Sequence, residues 1–580
     1  MFRLARYLMY FKKEVMIGPF FKLLEAIFEL IVPLVMASVI DIGIKTGDKI
    51  YVLQRGGIIL ILGAIGLIFA LICQYSAARA SQGVGTKVRN DLFAHINTLS
   101  HGELDQIGTN SLITVITNDV NQIQLAVAML IRLVVRAPFL VIGATAMAMV
   151  LDLKLSLIFL AVAPIVSLLL FIIMKKSIPF YRIRQKVLDK ISLITRENLT
   201  GARVIRAFSR QEKEERRFED ANEEVAEIAI RVGKLSAVLS PATFTVMNIA
   251  VIAIIWFGGM RVDAGSLTQG EIIALVNYLT QISIALVVVA NLVIIFTKAS
   301  ASAARINKIF DTKSSLLEGV YQEFEEDKIN SVPQFSLRQV SFAYPGSEEN
   351  ALEDINVDFM KGEMIGIIGG TGSGKTTLVN LLPRLYDVTR GEILMNGIPL
   401  KNYSFETLRR QFGIAPQKSV LFYGSIVDNL RVAKEKATEK EITKAIEIAQ
   451  AKEFVEQMPD QYETMIMQGG KNLSGGQRQR LTIARALVGS PKVLILDDSA
   501  SALDYATDAK LRKALKENGK GMTIFMVSQR AGSIKYADKI IVMDEGRMVG
   551  IGKHSELLQS CEVYKEICLS QLSSEEVNRR

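Results

Sequence analysis

The chain is poor in the residues that build disulfide frameworks and metal clusters. Its 580 residues include three cysteines (Cys73, Cys561, Cys568) and three histidines (His95, His101, His554). Cysteines so few and so scattered form no disulfide framework, and the two near the C-terminus fit a reducing cytoplasm for that half. The N-terminus carries Arg3, Arg6, Lys12 and Lys13 but no clear cleavage site, so it reads as an interfacial lead-in to an apolar segment, not as a removed signal. Proline and glycine are absent from Arg182 to Arg196. Proline is absent from Ala77 to Leu99, where only Gly83 and Gly85 interrupt a helical pattern. Charge is nearly absent from six long runs in the first three hundred residues. One such run fits a buried soluble helix, but six in succession fit a membrane domain. The net charge of +9 is the excess expected on cytoplasmic loops of a membrane protein and is no sign of a nucleic-acid partner.

What is present is organised in two halves. The six apolar runs cover roughly Met16–Ile40, Gly56–Cys73, Leu125–Leu151, Leu155–Met174, Leu235–Met260 and Ile272–Phe296. Each approaches or exceeds the ~20 helical residues that cross a bilayer. Short links join the first to the second, the third to the fourth and the fifth to the sixth. Links of about fifty and about sixty residues join the second to the third and the fourth to the fifth. The long links carry Lys87, Arg89, Lys175, Lys176, Arg182, Arg184 and Lys186, which places them and both termini in the cytoplasm. Because these links read as helix, the membrane helices are expected to project beyond the bilayer. Two pairs of charged residues lie inside runs: Glu25 and Glu29 on the first, Arg132 and Arg136 on the third. Four-residue spacing puts each pair on one face. Intramembrane charge is costly, so the expectation is that the pairs meet each other or line a wet cavity; snorkelling or a subunit interface is the alternative.

Composition turns polar and charged between Lys298 and Pro333, through Glu323 and Glu325-Glu326-Asp327-Lys328, and reads there as a solvated linker. Beyond it, strands alternate with helices, which predicts an α/β domain. Its centre is Gly369-Gly370-Thr371-Gly372-Ser373-Gly374-Lys375-Thr376-Thr377, between a strand ending at Ile368 and a helix starting near Leu378. In G-x-x-x-x-G-K-T the glycines turn backbone N–H groups onto phosphates and the lysine reaches the β/γ-phosphates. The hydroxyl of Thr376 takes Mg²⁺, and the helix N-terminus adds its dipole. This half therefore binds ATP or GTP.

Further on come Gln417, then Leu473-Ser474-Gly475-Gly476-Gln477, the apolar strand Val493–Leu496 ending in Asp497-Asp498, and Ser501-Ala502-Leu503-Asp504. With these strings the chain resembles an ATP-binding cassette exporter half-transporter of the multidrug-resistance type over nearly its whole length. The resemblance implies an α-helical membrane domain (1–315), a linker (316–333) and an α/β P-loop nucleotide-binding domain (334–580). It implies that Tyr344 stacks on adenine, and that Gln417 touches Mg²⁺ and the attacking water. It further implies that Asp497 holds Mg²⁺ through water, that Asp504 marks the D-loop, and that the Leu473–Gln477 signature caps an ATP held by the opposite subunit. A dimer follows, with ATP and Mg²⁺ as cofactors. Two stretches, Thr109–Val120 and Leu199–Phe218, look like coupling helices that dock on the nucleotide-binding domains. No peptidase-like domain precedes the first span, which weighs against an exporter that processes leader peptides.

Two positions depart from the family's pattern. Asp498 stands where the general base is usually Glu, and Gln529, in Ser528-Gln529-Arg530, stands where His is usual. Asp is one methylene shorter, and misplacing a reacting group by about 1 Å can cost on the order of 100-fold in rate. Gln can hydrogen-bond a phosphate but carries no charge and exchanges no proton. Gln468, ahead of the signature, replaces a common Glu. The expectation is an exporter of amphipathic drugs or lipid-like compounds in the cell membrane. This chain would bind Mg-ATP at a slow, degenerate site and lend an intact signature to a different half-transporter. A homodimeric exporter with Asp498 as base, and a nucleotide-sensing regulatory subunit, are the alternatives.

Overall fold

A computed structural model describes residues 2–322, 332–519 and 521–571, so the acidic run expected as linker, Glu323 to Lys328, lies outside the described residues. Two compact units emerge: Met1–Asn97 with Asn110–Asp311, and Thr98–Thr109 with Thr312–Arg580.

Among the described residues, the first unit holds six helices long and apolar enough to cross a membrane: Arg3–Ile44, Lys49–Ile96, Thr109–Leu151, Leu153–Thr200, Pro241–Asp263 and Gln269–Asp311. The 48-residue second helix rises about 72 Å, more than twice the ~30 Å hydrocarbon core. The stretches Ala77–Leu99 and Arg182–Arg196 are helical extensions of spans two and four, apart from the last few residues before Leu99. Gly83 and Gly85 sit in the second span because a Cβ there would run into Phe11 and Gln124, so close packing, not flexibility, accounts for both. Large apolar side chains such as Leu53 and Leu60, each more than three-quarters exposed, face outward, as lipid contact requires.

Polar groups fasten the spans to one another. Asp119 accepts from Ser302 Oγ (2.9 Å) and Arg305 Nε (2.7 Å), joining spans three and six. Asp41 accepts from Gly270 N (2.8 Å), and Tyr278 donates to Leu30 O (2.6 Å), joining spans one and six. Arg136 pairs with Glu29 at 2.6 Å, one of the two meetings expected from spacing. Glu25 does not reach span three; it pairs with Lys22 at 2.6 Å on its own helix. Arg132 lies in a π-helical turn, Leu130–Val134.

Among the described residues the second unit carries twelve strands. β1 (Phe335–Phe342), β2 (Leu352–Phe359), β4 (Arg390–Met395) and β5 (Ile398–Pro399) form an antiparallel sheet in the order β2-β1-β4-β5. β3 (Met364–Gly369), β6 (Phe412–Ala415), β9 (Val493–Asp497), β10 (Thr523–Val527), β11 (Lys539–Asp544) and β12 (Arg547–Gly552) form a second sheet. Its order is β12-β11-β3-β10-β9-β6, parallel except for β12. β7 (Gly424–Ser425) and β8 (Met465–Ile466) pair separately. All residues of β9 and β10 are buried, as expected of parallel strands covered on both faces. One core lies between the two sheets, around Phe335, Phe359 and Phe525. The other lies under the helices, around Leu481, Leu494 and Val542.

The stretch Thr98–Thr109 packs with this second unit. It contains the short helix His101–Ile107, opened by a capping box of Ser100 and Glu103 and closed at Gly108, whose φ is +79°. Thr109–Val120, expected to be a coupling helix, is instead the beginning of the third span. The second stretch so expected, Leu199–Phe218, does contain a separate short helix, Ala202–Ala207.

Candidate functional site

Parallel register brings the sequence-predicted residues to one end of the six-stranded sheet. Ala415 lies opposite Leu496, Asp497 opposite Val527, and Val527 opposite Ile367. The loops leaving β3, β6, β9 and β10 therefore emerge side by side, carrying the glycine-rich loop, Gln417, Asp498 and Gln529. Ligands in open parallel sheets bind at these carboxyl ends.

The glycine-rich loop runs from Gly369 to Gly374 into the helix Lys375–Leu381. Gly372 and Gly374 have φ of +84° and +92°, and a Cβ on Gly374 would strike Ala351 O at 2.7 Å. Over Gly370 and Gly372 the space is open, so the backbone is accessible to a ligand. Thr371 is exposed and Ser373 buried. Lys375 is buried, and its ammonium donates to Gly369 O (3.0 Å), Gly370 O (2.5 Å) and Ser373 Oγ (3.2 Å), spanning the loop from inside. Burial pushes its pKa down, opposed by Asp498 and Asp497. Thr376 donates to Asp497 Oδ1 at 2.9 Å. Thr377 Oγ1 lies 3.0 Å from the Tyr344 hydroxyl, and the half-buried Tyr344 ring packs edge-on against Phe342 and Tyr386.

Burial pushes the Asp497 carboxyl up, and its neighbour Asp498 adds to the rise. Burial pushes Asp498 up too, against the pull of Lys375 and Arg530. Asp498 has a left-handed backbone (φ +47°), which Asp tolerates better than most residues, and its carbonyl accepts from Ser501 N and Oγ. A hard hydroxyl and a carboxylate one hydrogen bond apart, beside a phosphate cradle, suit Mg²⁺, which takes one or two carboxylates and completes its shell with phosphate and water. Gln417 and Gln529 are both exposed at the same end of the sheet.

The signature opens the helix Gly475–Leu487, with Ser474 as its N-cap in a box with Gln477: Ser474 N donates to Gln477 Oε1 at 2.9 Å. Leu473 is buried beneath it, and Gly475 is exposed. A Cβ on Gly476 would approach Ala502 O at 3.3 Å. Asp504 caps the helix Tyr505–Asn518 by accepting from Thr507 N and Oγ1, both at 2.8 Å, and these hydrogen bonds hold its carboxyl below the usual range.

Three connecting residues escaped the sequence reading. Gln479 accepts from Ala502 N (3.0 Å), tying the signature helix to the loop that ends in Asp504. Arg530 donates to Ser501 O (2.8 Å) and Leu503 O (3.2 Å), tying that loop to the one carrying Gln529. Gln571 donates to Gln529 O and accepts from Ala531 N, both at 2.8 Å. Gln479 lies two residues past the signature and could have been questioned there; Gln571 lies 42 residues from its partner and leaves no local signal.

The description "ABC transporter transmembrane region" matches residues 15–286, and "ABC transporter" matches 352–501. An ABC transporter ATP-binding protein of Mycobacterium tuberculosis is 36% identical over 95% of this chain and 94% of its own length. The chain belongs to the ABC transporter family. More narrowly, it is an exporter half-transporter, embedded in a membrane through its first unit and coupling ATP hydrolysis to transport through its second. An ATP-dependent lipid A-core flippase of Hahella chejuensis is 32% identical to this ABC exporter, over 86% of the chain and 85% of the flippase. A bacterial Atm1-family ABC exporter with ATP bound shares the fold, with a TM-score of 0.82 at 22% identity over 97% of this chain and 99% of that one.

Proposed function

We propose that this exporter subunit moves amphipathic drugs or lipid-like compounds out of the cytoplasm by alternating access, paired with a different half-transporter. In this reading its own site binds Mg-ATP and hydrolyses it slowly. The observation that carries the proposal is the pair Asp498 and Gln529, at the ends of β9 and β10 beside a complete phosphate loop. Lys375 reaches the β/γ-phosphates, and Thr376, Asp497 and Gln417 serve Mg²⁺, which neutralises developing charge on the phosphoryl oxygens. Tyr344 stacks on adenine.

The short Asp498 carboxylate stands back from the attacking water, and the neutral Gln529 contributes no charge to the γ-phosphoryl. The signature, Leu473 to Gln477, has an ordered cap and an open helix N-terminus, which suits it to complete a site whose phosphate loop belongs to the partner. Substrate class rests on the sparsely charged spans and on the lipid A-core flippase among the relatives. The half-transporter layout supports a place in the cell membrane, and the lysines and arginines of the long links support an orientation with both termini and the nucleotide-binding domain cytoplasmic. Domain limits of 1–315, 316–333 and 334–580 complete the reading.

ATPase activity of the purified chain alone, beside the chain co-expressed with each candidate partner half-transporter from the same genome, tests the proposal. Near-zero activity alone with robust activity for the pair is expected. Robust activity alone makes Asp498 a working base and the exporter a homodimer.

A further inference from the structure

The loop that carries Gln529 is held by a residue from the far end of the chain. Ser528 N donates to Ile367 O, just past the pairing of β10 with β3. Arg530 N donates to Ser528 Oγ at 3.0 Å, and the Arg530 guanidinium is fixed on Ser501 O and Leu503 O. Gln571 closes the remaining step: its Nε2 donates to Gln529 O and its Oε1 accepts from Ala531 N, both at 2.8 Å. A primary amide carries a donor and an acceptor on one rigid plane, so a single side chain grips the backbone on both sides of Arg530. Ala531 N is the first N–H of the helix Ala531–Ile534, and the N-cap residue there, Arg530, has a side chain that only donates. Gln571 Oε1 takes the place of that cap.

The clamp is itself anchored. Gln571 ends the helix Glu562–Gln571, which buries Tyr564 and Cys568 and packs against β3, β11 and the helix Ala531–Ile534. The Tyr564 hydroxyl meets His554 Nδ1 at 2.7 Å. Gln571 is exposed and fills no space in the core, so what it fixes is the path of the loop.

We infer that Gln571 is a positioning residue for recognition of the γ-phosphate: it sets the backbone from which Gln529 projects, and so decides whether the Gln529 amide reaches that phosphate. The inference rests on the reading of Gln529 as a γ-phosphate contact. Gln529 carries no charge, so it offers the phosphate a hydrogen bond and nothing more. Hydrogen bonds weaken steeply with distance and angle, whereas the attraction of a full charge falls off slowly. A neutral residue at this position therefore depends more on an exact backbone than a charged one would. Gln571 acts through Gln529 and touches no nucleotide in this reading.

Affinities for ADP and for a non-hydrolysable ATP analogue, measured with Mg²⁺ on the full chain in lipid nanodiscs, isolate the γ-phosphate. Their ratio is insensitive to changes that loosen the whole site. Gln529→Ala should lower the preference for the analogue about fivefold, roughly the worth of one hydrogen bond. Gln571→Ala should lower it by a similar factor, with ADP affinity unchanged. Gln571→Glu still accepts from Ala531 N but sets a carboxylate against Gln529 O, and should lower it as much. In the Gln529→Ala background Gln571→Ala should add nothing. Tyr564→Phe, which loosens the same helix and keeps the clamp, should leave the ratio unchanged. An unchanged ratio in Gln571→Ala, additive losses in the double variant, or an equal loss in Tyr564→Phe overturns the inference. No change in Gln529→Ala is a different pattern: it removes Gln529 from the γ-phosphate, and the inference falls with that reading.

Discussion

The hydroxyl of Thr376 donates to the buried carboxylate of Asp497 across 2.9 Å, so the first turn after the phosphate loop and the end of β9 share one hydrogen bond. Both candidate magnesium oxygens are thus placed before any ligand arrives, and each holds the other in position. Asp497→Asn keeps the shape and removes the charge. It is expected to weaken Mg²⁺ affinity by about 10- to 100-fold, the usual cost of losing a partner that acts on a metal through its shell. Thr376→Ala should fall in the same range. Mg²⁺ titration of nucleotide binding checks both; an unchanged titration in Asp497→Asn would remove this carboxylate from the metal site.

Arg136 and Glu29 meet at 2.6 Å inside the membrane unit, whereas Arg132 has no carboxylate partner among the described residues. Reversal of Glu29 to Lys should therefore be rescued by Arg136→Glu and not by Arg132→Glu. Neutralising Glu29 alone leaves Arg136 unmatched and should cost about 1 kcal/mol, or slightly more, because the pair is only partly shielded from solvent. Yield and thermal unfolding of the detergent-solubilised variants report the outcome. Equal rescue by Arg132→Glu would show that the charges act as a diffuse group.

His554 and Tyr564 pin the C-terminal helix Glu562–Gln571, with His554 Nδ1 and the Tyr564 hydroxyl 2.7 Å apart. Burial first, and Lys535 second, lower the His554 pKa below its ordinary 6.5. The folded state thus disfavours the charged ring, and the unfolded chain binds the proton more readily. The contribution to stability is present above pH 6.5 and is lost as pH falls through the lowered value. His554→Gln should flatten this part of the acid limb between pH 8 and 5 in thermal unfolding. The same acid loss in the variant would assign it to other groups.

Most of the nucleotide site was legible because its chemistry is local. Strand, glycine-rich turn, lysine and helix occupy one short stretch, and the signature carries its own cap in Ser474 and Gln477. What failed was long-range or depended on exact turns. Of the two stretches expected as short separate helices, Thr109–Val120 begins the third span, and the separate helix lies just before it at His101–Ile107, started by Ser100 and Glu103 and stopped at Gly108. Glu25 pairs instead with Lys22, three residues earlier on its own helix, a contact that the four-residue spacing with Glu29 does not signal. Gln571 could not be foreseen, since its contacts with Gln529 and Ala531 exist only after the C-terminal helix has docked.

The central claim is that Asp498 and Gln529 make this site slow while leaving it able to bind. The most direct measurement is the ATPase rate of the chain purified alone, compared with Asp498→Glu, Gln529→His and the double variant, each normalised to bound ATP. The account predicts near-zero turnover in the wild type, full ATP binding in all four proteins, and a gain on the order of 100-fold in the double variant. Fast turnover by the unaltered chain, or a double variant no faster than the wild type, would contradict it.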